Sequence, residues 1–473
     1  MNHLNQGKST IQLSNELKAA LERVNEQGIV LVIGAGSSLD DPTSLELGSH
    51  YSESAHLALT RRGVIATQPH PWDLSELADA VVAATGNQDQ LVAELPIPRM
   101  KLATPNLGHV LAAALQVDGF VRSILTLNYD TAMAGAIAQL GGSDVHVIER
   151  KEDLPSTSPK MLIYLHGSAN GLPQALVLTT TDLDTTWQGS WKELIANQTL
   201  LAPVIAFVGL GSSANLISST LLKIMDGVGG ATSFVLVGPG DQSITTFAAS
   251  IGADAAHCID CGWEDFMKAC AAYALTTLVQ LGAAKFDEVE RQRSVASVDT
   301  AHVLEEITQL GFLEYGAARA KWFGVDSRRR YMPHPAKDTP ELLHLADIIH
   351  LIAEIESWVS TSIRITDGDV EVAGATVSIF SSQEPADFET AITRVQARID
   401  RGHPSRKPSA VIIARTNPPE KIAAPASIVF GGDEDRSLGL VEEFDIIRSQ
   451  VEVGMFYLPE VRADPTALIG AIT

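Results

Sequence analysis

Short apolar runs alternate with segments of helical periodicity along the first part of the chain. The run Ile29–Ile33 contains only β-branched residues and leucine, which is typical of a strand buried on both faces of a parallel sheet. Further short runs lie at Ile124–Leu127, Leu162–Leu165, Val204–Val208 and Phe234–Val237. Apolar residues follow a helical spacing at Ile11–Glu26, Leu107–Leu115 and Leu216–Met225. This alternation predicts an α/β fold with a doubly wound parallel sheet.

The pattern changes near residues 283–300, where a polar segment without a clear apolar stripe predicts a domain boundary. We place a first domain at residues 1–285 and a second, smaller α/β domain at residues 286–473. The elements expected in the second domain are helices at Ala301–Phe312, Glu341–Trp358 and Ala386–Ile399, a hairpin around Asp367-Gly368 and a strand at Ala410–Ile413. Two proline-containing segments, Tyr331–Pro340 and Thr416–Pro425, are expected to be surface connections.

The charge balance narrows the choice of partners. Asp and Glu total 57 against 34 Lys and Arg, which gives a net charge of -23 at pH 7, and this negative field disfavours direct binding of nucleic acid or of anionic membranes. The three cysteines, Cys258, Cys261 and Cys270, do not suggest a disulfide framework and fit a reducing compartment. The polar N-terminus lacks the apolar core of a signal peptide, and no apolar run reaches about 18 residues. We therefore expect a cytoplasmic protein without a membrane segment.

Four of the predicted strands are each followed by a segment of small or polar residues, and ligands in open α/β sheets bind outside the carboxyl ends of the strands. Small residues allow a backbone to approach a pyrophosphate, and an Asn and an Asp two positions apart on an extended segment can face one ligand. The four segments are GAGSS at 34–38, TLNYD at 126–130, HGS at 166–168 and GLGSS at 209–213. Leu39 stands where the dehydrogenase fingerprint has its third glycine, which disfavours an ordinary nicotinamide dehydrogenase.

In this order the four segments resemble the SIR2 (sirtuin) family, which has a GAGxS loop, a TxNxD segment, a His-Gly after a strand and a GxGxS-type loop. Pro105-Asn106 with His109 is also similar to the PNxxH helix start of that family. The resemblance covers roughly residues 11–280 and implies a Rossmann-like sheet that binds NAD as a substrate.

The resemblance also implies a role for each matched residue. Asn128 and Asp130 would line the pocket for nicotinamide and its ribose, and His166 would be the general base or a ribose contact; these three are the candidate catalytic residues. Histidine is suited to proton transfer because its usual pKa lies near neutrality. The candidate NAD-binding residues are Gly34, Ala35, Gly36 and Ser37 for the phosphates, Gly209, Gly211 and Ser212 for the adenosine side, and Thr126.

One departure from the family bears on the activity. Protein deacylases of the family carry a zinc module with two CxxC pairs, but the interval from Asn128 to Gly209 contains no cysteine, and Cys258 and Cys261 form a single CxxC. Because structural zinc needs four ligands, we expect no metal.

The chain is more similar to the zinc-free SIR2-like domains of prokaryotic antiviral defence proteins, which act as NAD glycohydrolases. We therefore expect a regulated NAD glycohydrolase that is the effector of an anti-phage (abortive infection) system. The alternatives are an NAD-dependent protein deacylase and a non-catalytic nucleotide-binding assembly module.

The second domain matches no catalytic motif. Since such an activity needs restraint, we expect residues 286–473 to sense a trigger, to bind a sensor protein or to support a homo-oligomer. The basic cluster Arg328-Arg329-Arg330 fits a solvated loop or a phosphate site, and the sequence leaves both open.

Overall fold

The computed structural model describes residues 11–24, 28–155, 160–185, 190–210, 232–239, 246–249, 251, 258–325, 331–386, 388–401, 407–416, 421–423, 440–442 and 453–473. The chain divides into two compact units, Met1–Thr277 and Leu278–Thr473. The division lies earlier in the chain than the boundary that the sequence pattern placed after residue 285. Within the described residues, no helix is both long enough and apolar enough to cross a membrane.

The first unit is built on a seven-stranded parallel sheet, which confirms the predicted fold. Its strands are β1 (Ile29–Ile33), β2 (Val121–Thr126), β3 (His146–Ile148), β4 (Met161–Tyr164), β5 (Val204–Val208), β6 (Ser233–Gly238) and β7 (Cys258–Asp260). Their order is β3-β4-β2-β1-β5-β6-β7, and every neighbouring pair is parallel. Strand β1 is therefore central, and all five of its residues are buried.

The helices described for this part of the chain are α1 (Asn15–Leu21), α2 (Gly48–Arg61), α3 (Leu74–Thr85), α4 (Asp89–Val92), α5 (Ile97–Lys101), α6 (Leu107–Val117), α7 (Ala132–Gln139), α8 (Thr180–Thr185), α9 (Trp191–Thr199) and α10 (Trp263–Ala283). Short 3₁₀ turns lie at Ala35–Ser38, Lys151–Asp153 and Pro173–Ala175. Helix α1 packs on β1 and β5, and α6 packs on β2. The predicted helix at Leu216–Met225 lies outside the described residues.

The second unit contains a five-stranded mixed sheet, as expected for a second α/β domain. Its strands are β8 (Arg364–Thr366), β9 (Asp369–Val372), β10 (Ala375–Ala386), β11 (Ala410–Thr416) and β14 (Gly454–Tyr457), and a separate antiparallel pair is formed by β12 (Lys421–Ala423) and β13 (Leu440–Glu442). The order is β14-β11-β10-β9-β8. Strand β9 is antiparallel to β8 and β10, whereas β10, β11 and β14 are parallel. The helices are α11 (Phe286–Arg293), α12 (Ala301–Leu310), α13 (Phe312–Trp322), α14 (Pro340–Val359), α15 (Phe388–Arg401), α16 (Leu458–Ala463) and α17 (Thr466–Ile472).

The predicted hairpin at Asp367-Gly368 is confirmed as the turn between β8 and β9. Both residues have positive φ, 51° and 76°, as a two-residue turn of type I′ requires. Two segments show more structure than the sequence pattern indicated. The polar segment 283–300 contains α11, and the segment Tyr331–Pro340 includes two buried side chains, Tyr331 and His334.

Candidate functional site

The strand register brings the first three predicted segments, and the described start of the fourth at 209–210, to one edge of the first sheet. Thr126 at the end of β2 pairs with Ile33 of β1 and with Tyr164 of β4, and Ile33 pairs with Val208 of β5. The loops that follow these strands begin at the same level. Thr126 and Tyr164, which pair with each other, are the last residues of β2 and β4. Asn128 and His166 each follow two residues later, so they occupy equivalent positions in the loops after these neighbouring strands.

The two glycine-containing loops pack directly against each other. The Gly36 N–H donates to the Gly209 carbonyl at 3.0 Å, and the Gly34 N–H donates to Val208 at 3.0 Å. A Cβ at Gly36 would lie 2.7 Å from the Gly209 Cα, and Gly209 itself has a φ of +63°. The contact between the loops thus explains why both positions are glycine. Gly211 and Ser212, predicted on the adenosine side, lie outside the described residues.

Two serine hydroxyls of the first loop fix the Asn128 carboxamide. The Ser37 hydroxyl donates to the Gly34 carbonyl at 2.8 Å, and the Ser38 hydroxyl donates to Asp130 Oδ2 at 2.9 Å. Asn128 Nδ2 lies 3.2 Å from each hydroxyl oxygen. Since both hydroxyl protons are already used, both oxygens must accept from Asn128. The amide nitrogen of Asn128 therefore faces the serines, and its carbonyl oxygen is left for another partner.

The Asp130 carboxylate belongs to the same network, and each of its oxygens accepts a hydrogen bond from the protein. Its Oδ1 accepts from the Ala132 N–H at 3.0 Å while its Oδ2 accepts from Ser38. The side chain is buried, and burial raises the pKa of this carboxyl group, although the bonds from Ala132 and Ser38 oppose the rise. The carboxylate is thus a buried acceptor that orients Ser38.

The His166 imidazole is buried and neutral. Burial, with the nearby Lys192 ammonium as a second cause, lowers the pKa of His166 to about 4, well below the near-neutral pKa that the residue type suggested. The ring is hydrogen-bonded to the Leu127 backbone, which favours the protonated form, and Nε2 has no partner among the described residues. Nδ1 therefore makes this bond as a donor, and Nε2 keeps a free lone pair.

Two further contacts could not be read from the sequence. Asn106, noted only as a helix start, caps α6, and its Nδ2 donates to the Ser37 carbonyl at 2.9 Å. Trp263 is buried, and its Nε1 donates to Asn106 Oδ1 at 3.2 Å. Lys192, on α9, had no signal at all, yet it is buried and burial lowers its pKa. The fold, and not a local sequence pattern, brings Trp263, Asn106 and Ser37 into contact.

The cysteine pair gives no sign of a metal site in the described part of the chain, where no group of three or more His, Cys, Asp or Glu side chains could hold an ion. Both thiols are half-buried. Burial raises the pKa of Cys258, and it raises the pKa of Cys261 to about 11, with Asp265 and Asp260 adding to that rise. Both cysteines are therefore protonated thiols at neutral pH.

Comparison with known proteins bears on the same region. Residues 122–255 match the family model described as SIR2-like domain. This segment is a SIR2-like domain. It includes β2 to β6 and thus the candidate residues Asn128, Asp130 and His166.

The chain is also similar to several solved sirtuin structures. The first, described as "Structural Basis for the Mechanism and Regulation of Sir2 Enzymes", is 14% identical, with a TM-score of 0.30, and the match covers 59% of this chain and 100% of that one. "The Structural basis for Sirtuin Substrate affinity" is 16% identical, with a TM-score of 0.29 and coverage of 53% and 94%. "Sir2-p53 peptide-NAD+" is 16% identical, with a TM-score of 0.29 and coverage of 54% and 95%. A search of the curated proteins found no match.

Proposed function

We propose that the SIR2-like domain hydrolyses NAD to nicotinamide and ADP-ribose. A domain of this family supports an activity that involves NAD. The observation that carries the finer proposal is the buried network at the carboxyl edge of the sheet: Ser37 and Ser38 hold Asn128, Asp130 holds Ser38, and a neutral His166 follows the neighbouring strand β4.

The reaction breaks the bond between nicotinamide and the ribose, and positive charge develops at the anomeric carbon in the transition state. A group that fixes the attacking water or the ribose hydroxyls lowers this barrier, because the ordering is complete before the reaction begins. The carbonyl oxygen of Asn128 can accept a hydrogen bond from that water or from the nicotinamide amide group. Nicotinamide leaves as a neutral molecule, so no strong general acid is needed.

His166 would act as the proton acceptor. Its free Nε2 lone pair can accept a hydrogen bond, and then a proton, from water or from a ribose hydroxyl. A base whose pKa is about 4 is weak at neutral pH. The residue thus contributes first by positioning the hydroxyl, and it accepts the proton as the transition state forms.

The test is incubation of the purified full chain with NAD, with and without proteins encoded by neighbouring genes, followed by identification of the products. Free ADP-ribose supports the proposal. Asn128→Ala and His166→Ala should each abolish turnover. Asn170→Ala and His146→Ala are matched controls at exposed positions, and they should keep the activity.

Other products would contradict the proposal. Acetyl-ADP-ribose formed with an acetylated peptide would indicate a deacylase, and NAD binding without turnover under both conditions would indicate a nucleotide-binding module. Full activity in both site variants would overturn the assignment of Asn128 and His166.

We further propose that this activity is the regulated effector of an anti-phage system, with residues 286–473 sensing a trigger, binding a partner protein or supporting a homo-oligomer. The support is a second compact unit in which the sequence shows no catalytic motif. Loss of protection against phage in a strain that carries His166→Ala would support this role. An equal oligomeric state and equal activity of the chain with and without residues 286–473 would contradict it.

A further inference from the structure

The second unit contains a cavity of about 600 Å³, within the size range of small-molecule sites. Ala414 on β11 and Tyr457 at the end of β14 line it, and these two strands are adjacent and parallel. The remaining wall comes from α14, from α16 and from the segment that follows α11. The space beyond the carboxyl ends of parallel strands is where open α/β sheets bind ligands.

A buried network of charges forms one wall of this cavity. Asp347 accepts from two guanidinium groups: its Oδ1 lies 2.7 Å from Arg462 Nη2, and its Oδ2 lies 3.0 Å from Arg293 Nε. Arg462 Nε also donates to Glu354 at 2.9 Å. Removing such a network from water is costly, and apolar residues of the same volume often stabilise a fold as well or better. Stability of the fold is therefore a weak explanation for the network, and its position on a cavity wall favours a role in ligand binding.

Arg293 is the member of the network that can reach a ligand. Its side chain is 46% exposed, and only its Nε is bonded to Asp347. None of the described residues accepts from its two terminal nitrogens. A guanidinium group held at one nitrogen presents the remaining N–H groups as a fork that fits a carboxylate or a phosphate. The carboxylate partner fixes the orientation of that fork.

The charge and shape of the cavity restrict the ligand. Arg293 and Arg462 balance Asp347 and Glu354, so the wall favours a ligand with one anionic group over a polyanion. Apolar and aromatic residues line the other parts of the cavity; Trp358, Leu458 and Pro459 are examples. Such walls favour a flat ring. We propose that this cavity binds a small organic anion with a flat ring, whose carboxylate or phosphate is held by Arg293 while Trp358 and Tyr457 border the ring. The proposal does not depend on NAD cleavage by the first unit.

The experiment is a calorimetric titration of the full chain with indole-3-acetate and with AMP, which carry the two kinds of anionic group, and with indole and adenosine as uncharged counterparts. At least one anion should bind more tightly than its uncharged counterpart. Arg293→Gln should weaken that binding by about tenfold or more, the usual effect of losing a hydrogen bond to a charged group. Arg291→Gln, on the same helix and exposed, should leave it unchanged.

A second variant separates this cavity from the first unit, where AMP could also bind. In the same calorimetric titration the preferred anion should bind more weakly to Trp358→Ala than to wild type. Preference for indole-3-acetate would identify a carboxylate ligand, and preference for AMP a phosphate ligand. The proposal is overturned if neither anion binds saturably, or if the affinity is the same in wild type and Arg293→Gln.

Discussion

At the residue scale, the candidate site depends on how hydrogen-bond donors and acceptors are used. Ser38 connects a buried carboxylate to a carboxamide: it donates to Asp130 and accepts from Asn128. Each Asp130 oxygen accepts from a protein donor, and one of these donors is Ser38. In the proposed reaction we expect Asp130 to act by positioning Ser38, and Asn128 to contact the substrate.

Ser38→Ala tests whether Ser38 orients the Asn128 carboxamide. The change removes one of the two acceptors that orient the Asn128 amide and leaves Asp130 Oδ2 without its donor. Misplacement of a catalytic group by about 1 Å can cost a factor of about 100. We therefore expect kcat for NAD cleavage to fall about ten- to a hundredfold with little change in KM, as measured by steady-state kinetics.

The controls for Ser38→Ala separate orientation from stability. Ser54→Ala, at an exposed position of α2, should behave as wild type. Far-UV circular dichroism should be the same for Ser38→Ala and wild type, so that the loss of kcat reflects the orientation of Asn128 and not unfolding. A wild-type kcat in Ser38→Ala would show that Ser38 does not act through Asn128.

The sequence predicts the candidate residues better than it predicts their partners. Asn128, Asp130 and His166 follow strands and match a family pattern, so they could be chosen in advance. The bond between Ser38 and Asp130 joins residues 92 positions apart, and no local pattern indicates it. The pKa of His166 was also unpredictable, because it depends on burial and on Lys192 from another element.

At the scale of elements, central strands were predicted better than edge strands. The bounds of β1 and β5 agree with the apolar runs, because each is buried over all five residues. The edge strands β3 and β7 have only three residues each and include exposed positions at His146 and Asp260. A short, partly exposed strand has no apolar run, so the sequence pattern did not predict β3 or β7.

The contact between the two glycine loops leads to a prediction at this scale. In Gly36→Ala the new Cβ would lie 2.7 Å from the Gly209 Cα, and because that neighbour is backbone the two loops must separate. Overpacking of this kind costs about 1–3 kcal/mol. We expect a loss near the upper end, with reduced activity, because the same loop carries Ser37 and Ser38. The free energy of unfolding in urea gives the stability change.

Gly48→Ala is the matched control for the loop variant. No atom lies within 4 Å of a Cβ at Gly48, which is the first residue of α2, so this change should be nearly neutral. If Gly36→Ala were also neutral in stability and activity, close packing of the two loops would not be the reason for glycine at position 36.

At the scale of the whole molecule, the sequence predicted two α/β parts in the right order, but it did not indicate a helix in the polar segment 283–300, which belongs to the second unit. The segment 283–300 is mainly polar, yet α11 forms within it, because Val289 is buried and Arg293 pairs with Asp347. One buried apolar residue and an ion pair to a distant helix do not produce an amphipathic pattern. The polar composition therefore suggested a domain boundary but gave no sign of the helix that forms there.

Three buried histidines make the stability of the chain depend on pH. Burial lowers the pKa of His109 to about 3, of His166 to about 4 and of His334 to about 3, from a usual value of 6.5. Between pH 6.5 and about 4 the unfolded chain binds protons at these positions and the folded chain does not. The free energy of unfolding must therefore decrease as the pH falls through this window, by up to about 1.4 kcal/mol per pH unit for each histidine.

His109→Gln isolates one of these contributions. The His109 ring completes the capping box of α6, and glutamine at this position can make the same bond to the backbone, so the helix start is kept while the titrating group is lost. Above pH 7 the variant should be about as stable as wild type. At pH 4 it should be more stable by up to about 3 kcal/mol, because the unfolded state no longer gains a proton there.

Thermal unfolding from pH 7.5 to 4 measures this difference, with His146→Gln on an exposed position of β3 as the control. Parallel stability profiles for wild type and His109→Gln would mean that His109 takes up its proton in the folded chain as readily as in the unfolded one.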